Sequence, residues 1–113
     1  MQEYHNIPLI DADAGIRRFG GKKELFEKFL FKFPEDRNYI QLKEALKAND
    51  YELAFHYAHA LKGVSGNLSL QCLYQAVCGL VEQMRGNNYN DLDVFLDTID
   101  AIYDATLDAI RQI

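Results

Sequence analysis

The sequence predicts an all-α protein: an antiparallel up-down four-helix bundle with a short additional helix at its N-terminal end. Three observations carry this. Apolar residues recur at three- and four-residue spacing through most of the chain, the period of a helix with one buried face. No run alternates strictly between apolar and polar, and no turn dipeptide joins two such runs. The connections between periodic segments are about two to six residues long, which makes consecutive helices antiparallel neighbours.

The elements follow in order. Met1 to Leu9 is a lead-in in which Pro8 discourages helix at Ile7. Asp11 or Asp13 can cap a short helix running to about Phe19, and Gly20-Gly21 stops it. Lys22 to Phe33 carries Leu25, Phe26, Phe29, Leu30 and Phe33 at helical spacing, an aromatic stripe that calls for deep burial. Pro34 suits the first turn of the next helix, which runs to about Ala48 with Tyr39, Leu42, Leu46 and either Ile40 or Ala45 inward. Asn49 can end it in a left-handed conformation, and Asp50 can cap the helix that follows. That central helix spans Asp50 to Gly66. Leu53, Ala54, Tyr57, Leu61, Val64 and Leu68 point within roughly 60° of the direction opposite His59, so they form its expected buried stripe. The next helix restarts at Ser69, a candidate N-cap, and repeats Leu70, Leu73, Ala76, Val77, Leu80 and Met84 until Gly86-Asn87-Asn88 ends it. The last helix, from about Asp91 to Ile113, places Leu92, Phe95, Leu96, Ile99, Ile102, Tyr103, Thr106 and Ile110 on one face and its aspartates mainly elsewhere.

Composition narrows the function classes. A chain of 113 residues, 49% hydrophobic and 26% charged, makes one domain, residues 1–113. Its net charge of −5 and scattered basic residues argue against a phosphate-backbone binder, so no nucleic acid is expected. Cys72 and Cys78 stand about 9 Å apart in rise along one helix, too far to bond to each other, and are expected to be free thiols. There is no signal-peptide pattern, no lipidation motif and no apolar run approaching the roughly 20 residues that span a bilayer. The expectation is a cytoplasmic protein with no membrane contact of its own.

The central helix carries the chemistry. With the apolar stripe turned inward, His59 faces water, and Glu52, Phe55, His56, Lys62, Gly63 and Gly66 lie on its side. A glycine in a helix interior costs about 0.5–1 kcal/mol relative to alanine. Gly66 has a plain alternative as a helix terminator; Gly63 does not. Bare backbone one turn from an exposed imidazole lets another macromolecule bring a reactive centre within bonding distance. Lys62, at i+3, can place its ammonium near anything negative attached to the ring, and an imidazole with a near-neutral pKa is a competent nucleophile. Phe55 is read either as a partner contact or as cover for the top of an adjacent helix, and His56 as a surface residue beside the docking patch. Glu52, His56 and His59 share the i, i+4, i+7 spacing of a metal site, but they face solvent on a single helix, so no metal is expected.

His59-Ala60-Leu61-Lys62-Gly63 resembles the H-x-x-K-G signature of the histidine-containing phosphotransfer domain family. The similarity extends to Ile10-Asp11 with Gly15, to Phe19-Gly20-Gly21, to Leu25 through Phe33 and to Leu46 through Asp50. It implies a phosphorelay intermediate: His59 accepts a phosphoryl group at Nε2 from a receiver-domain aspartyl phosphate and passes it to another receiver, Lys62 offsets the added charge, and Gly63 permits close approach. The implied partners are receiver domains of a response regulator and a hybrid sensor kinase. Mg²⁺ is expected on the receiver and no cofactor on this chain, which lacks a Gly-rich phosphate loop, an ATP site and kinase activity of its own. Phe55, His56 and Gly66 would contact the partner, and an open His59 face implies a monomer. The alternative is a non-catalytic helical adaptor that binds receiver-like partners without transfer. Two positions depart from the family pattern. Val81 stands where a Glu or Gln often contacts the imidazole, and Glu82 or Gln83 could replace it only if the helix were rotated. Ser69 stands where glycine is frequent.

Overall fold

Asp11 opens the first helix by accepting a hydrogen bond from the Ala14 backbone N–H at 3.1 Å, which satisfies one of the donors a helix start leaves unpaired. In the computed structural model, which describes Tyr4 and residues 6–113, this helix is α1, Ala12–Arg18. Met1 to Glu3 and His5 of the lead-in lie outside the described residues. Gly20 and Gly21, at φ of +70° and +80°, turn the chain through left-handed space that a side chain would resist. α2 follows as Lys23–Leu30.

Here the structure departs from expectation. The helix expected to reach Phe33 ends at Leu30, and Phe33–Glu35 forms a separate 3₁₀ turn with Pro34 inside it. Pro34 has no N–H to offer the Leu30 carbonyl four residues back and its ring crowds that carbonyl, so α2 cannot continue past this point. α3 accordingly begins not at Pro34 but at Asn38, running to Lys47, with the Asp36 carboxylate accepting from the Asn38 N–H at 2.9 Å. The aromatic stripe is only half inward: Phe26, Leu30 and Phe33 are buried, while Leu25 is 37% and Phe29 43% exposed. Phe26 and Leu30, one turn apart, form the packed edge of α2, while Leu25 and Phe29, likewise one turn apart, run along its outer edge. On α3, Tyr39, Leu42 and Ala45 face the core, Leu46 is partly covered and Ile40 is exposed.

Asn49, at φ +56°, ends α3, and Asp50 caps α4 (Tyr51–Asn67) by accepting from the Leu53 N–H at 3.1 Å. α5 is Gln71–Arg85 and α6 is Leu92–Arg111. Consecutive packing of α3, α4, α5 and α6 makes the bundle. It closes where Tyr39 of α3 meets α6, donating to Asp100 Oδ1 and packing against the Tyr103 ring at 4.9 Å between centroids. Among the described residues no strand occurs, and no helix is long and apolar enough to cross a membrane. Cys72 and Cys78 are free.

Two details of α4 and α5 correct the sequence reading. The buried face of α4 is Ala54, Ala58, Leu61 and Ser65, continued by Leu68, rotated by about 50° from the expected stripe. Leu53 is 41% exposed, and Tyr57 and Val64 are only partly covered. Small residues set this seam because they let α3 and α5 approach closely, and Ser65 enters it by donating to the Leu61 carbonyl at 2.8 Å. Ser69 is not an N-cap. It sits at φ +55° with its side chain buried, Leu70 takes the cap position of α5, and no side chain caps that helix. Its carbonyl accepts from the Asp11 N–H at 2.9 Å, and the Pro8 carbonyl accepts from the Cys72 N–H at 3.2 Å. These two bonds tie the entry to α1 against the α4–α5 turn. Gly15 completes the junction, since a Cβ there would lie 2.2 Å from Cε1 of Phe26 on α2.

Candidate functional site

His59 lies near the middle of α4 with its side chain exposed, because the buried seam of that helix runs along the opposite side. Lys62 stands one turn on, partly covered, and Gly63 is exposed beside it. A Cβ built on Gly63 would meet nothing within 4 Å. The protein's own packing therefore does not require glycine there, and what its absence of side chain leaves open is the space in front of the imidazole. Gly66 is different. It does not terminate α4, which continues to Asn67, and its Cβ would lie 3.0 Å from Cε1 of Tyr74. The Tyr74 ring packs over Gly66, so an internal contact accounts for that glycine.

Phe55 and His56 flank the site differently. The Phe55 ring is partly buried, 6.3 Å from the His59 ring between centroids. His56 is exposed and lies edge-on to Tyr57 at 5.3 Å. Glu52 and His56 do not join His59 in a metal site: among the described residues no group of three or more His, Cys, Asp or Glu is placed to hold an ion.

Alongside the histidine runs a depression of about 340 Å³. α4 supplies His59, Lys62, Gly63, Gly66 and Asn67 to it; facing them are Gln71 and Tyr74 from α5 and Arg18 from the last turn of α1. Sequence reasoning named His59, Lys62, Gly63 and Gly66 and missed Asn67, Gln71, Tyr74 and Arg18. His59, Lys62 and Gly63 are neighbours by helical spacing alone, whereas Arg18 arrives through the tertiary junction at Asp11 and Ser69, which no local pattern signals. The depression holds the Arg18 and Lys62 cations and no carboxylate. The Tyr74 hydroxyl is raised above its ordinary pKa, mostly by the Cys78 thiol beside it, with the Arg18 guanidinium pulling the other way. A larger apolar groove, lined by Phe19, Phe29, Phe33, Val64 and Leu68, borders this depression and shares Arg18 and Asn67 with it.

None of the residues considered as orienting partners reaches the imidazole. Val81 is fully buried. Glu82 is exposed and pairs with Arg85 at 3.0 Å, and Gln83 donates to the Asn90 carbonyl at 3.4 Å. Among the described residues no hydrogen bond is made by the His59 ring.

Comparison with protein families gives one match: the model described as Hpt domain, over residues 24–112. No curated protein and no solved structure matches the chain.

Proposed function

The chain belongs to the Hpt domain family, and from that premise we propose that it is a phosphorelay intermediate in which His59 accepts a phosphoryl group from one receiver domain and delivers it to another. Family membership carries histidine phosphotransfer in phosphorelays; the observation that favours His59 as the site is the exposed imidazole one turn from Gly63, where an added Cβ would meet nothing within 4 Å.

The step balances with the groups at hand. The Nε2 lone pair attacks the phosphorus of an aspartyl phosphate, the phosphorus–oxygen bond breaks, and its electron pair leaves on the receiver's carboxylate. The Nδ1 proton of the resulting cation passes to water as the ring returns to neutral. Delivery to the next receiver runs the same exchange in reverse. Most of the acceleration comes from holding the reacting atoms about 3–3.5 Å apart and in line, and from charge stabilisation by the receiver and its Mg²⁺. This chain contributes the nucleophile and, in Lys62, a cation for the transferred group, worth about 1 kcal/mol at a wet surface. Phe55, His56 and the apolar groove beyond Arg18 supply docking area. No ATP-binding element enters this scheme.

The test is transfer from a phosphorylated receiver to the purified chain. Label should appear as alkali-stable, acid-labile phosphate and vanish in His59→Gln. Persistence of label in that variant moves the site elsewhere; a receiver that binds without ever transferring label makes the chain an adaptor.

A further inference from the structure

We propose that the depression beside His59 is a built oxyanion site in which Arg18, from a helix outside the four-helix bundle, acts with Lys62 to hold the phosphoryl group. The inference rests on the phosphotransfer reading and adds to it a residue that lies before the matched residues 24–112.

Four observations carry it. The first is chemical composition. Besides His59, the polar groups lining the depression can all donate: the Arg18 guanidinium, the Lys62 ammonium, the Asn67 and Gln71 amides and the Tyr74 hydroxyl, with no carboxylate among them. In a chain of net charge −5, a cleft with two cations and no acid is a local reversal of sign. The second is availability. Among the described residues, the ion pairs are Lys43–Asp100, Arg85–Glu82 and Arg111–Asp108, and neither Arg18 nor Lys62 is engaged in one. The third is that a tertiary junction seats the short helix that carries Arg18. Asp11 caps α1 while its own N–H donates to Ser69 at the α4–α5 turn, and Gly15 seats α1 against Phe26. The fourth is shape, since Gly63, where a Cβ would meet nothing within 4 Å, leaves bare backbone on the α4 side of the depression. A guanidinium presents paired donors that match two oxygens of a phosphoryl group, which a lysine cannot do. The two cations thus divide the work: Lys62 supplies a flexible point charge next to the ring, and Arg18 a planar fork from the far wall.

Two arms test this with the full chain. In the first, inorganic phosphate is titrated into the unphosphorylated protein while the Gln71 and Asn67 side-chain amides are followed by NMR. In the second, the small donor phosphoramidate phosphorylates His59: the Nε2 lone pair attacks phosphorus, the phosphorus–nitrogen bond breaks and ammonia leaves. Arg18→Gln should weaken phosphate binding and slow phosphorylation by roughly fivefold each, the size of one lost contact charge in water. Arg18→Lys should recover only part of either. Arg17→Gln, which removes the same charge from the adjacent exposed position, should change neither. Equal effects of the Arg17 and Arg18 variants, no effect of Arg18→Gln, or no saturable shift in the wild type overturns the site. The two readings fail separately: a wild type that binds phosphate through Arg18 but never gains acid-labile phosphate keeps the site and loses the phosphotransfer role.

Discussion

Replacing Gly63 by alanine should make the protein more stable and a poorer transfer partner. The added Cβ meets nothing within 4 Å, and Gly63 has no left-handed φ to preserve. In the interior of α4 the exchange should therefore return the ordinary helix-propensity difference of about 0.5–1 kcal/mol, a rise in Tm of roughly 2–6 °C for a domain of this size. Transfer should move the other way. The receiver's phosphorus must come within about 3–3.5 Å of the ring nitrogen, and a misplacement of about 1 Å costs up to roughly a hundredfold in rate. A methyl should slow receiver-dependent transfer modestly and Gly63→Gln by at least about tenfold, while phosphoramidate, which needs no docking surface, should be slowed far less by either variant. Thermal unfolding by circular dichroism, rapid-quench transfer from a phosphorylated receiver and the phosphoramidate reaction give the three readings. Gly66→Ala is the control: its Cβ would press on Tyr74 at 3.0 Å, so it should bring no comparable gain in stability. Unchanged receiver-dependent transfer in Gly63→Gln, or equal slowing with both donors, would refute the argument that this glycine clears a path for a macromolecule.

Other consequences concern the frame around the site. Ser69→Gly should raise stability by about 1 kcal/mol or more: it relieves a left-handed residue (about 1 kcal/mol) and a buried hydroxyl that has no hydrogen-bond partner (about 1–3), against about 0.5–1 for the greater chain entropy of glycine. A lower Tm would show that the Ser69 hydroxyl is satisfied in solution. Gly15→Ala should cost about 1–3 kcal/mol in chemical denaturation, because its Cβ would fall 2.2 Å from the Phe26 ring; a change below about 0.5 kcal/mol would mean that ring yields freely. Asp100 supplies a pH dependence. Partial burial alone would raise its carboxyl, but hydrogen bonds from Tyr39 and Lys43 and the Lys43 charge together hold it below its ordinary value. Its folded-state pKa lies under the unfolded one, so its contribution is present above the ordinary carboxylate range and is lost as pH falls through the folded value. With the pair side chains 38% and 46% exposed, the contribution is about 0.5–1 kcal/mol at pH 7. The Tm advantage of wild type over Asp100→Asn should shrink steadily below about pH 4, and an advantage independent of pH would remove Asp100 as its source.

What could be read from the sequence was what local chemistry determines. Asp11 and Asp50 cap their helices and Asn49 turns left-handed because each acts on backbone within a few residues of itself. His59, Lys62 and Gly63 share a face for the same reason. The misses are tertiary. Hydropathy ranked Leu53 as core and passed over Ala58 and Ser65, yet the seam of α4 uses small residues and leaves Leu53 exposed. The length of α2 was overestimated because the Phe stripe continues in register past the point where Pro34 ends the helix. Gln71 and Tyr74 come to the site through the geometry of the α4–α5 turn, and Arg18 comes through the docking of α1 against it. Neither is a spacing rule. Ser69 could be read as a cap from its residue type; its positive φ explains instead why glycine suits that position.

Val81 then ceases to be a missing functional group and becomes a core residue with a consequence. It is fully buried, like Val77 and Met84, on the inward face of α5, where an amide would pay desolvation unless it found a hydrogen-bond partner. Among the described residues no hydrogen bond is made by the exposed His59 ring, so its two side-chain torsions are not held by one in the unbound protein. Freezing them on docking costs about 1 kcal/mol, roughly a fivefold factor, against the 7–11 kcal/mol that a well-oriented encounter can supply. On the proposed reading the domain can thus give up a built-in orienting residue at small cost, provided the partner completes the geometry. That same freedom suits a nucleophile that must meet a donor and an acceptor in turn, because a ring locked for one receiver would have to be unlocked for the next.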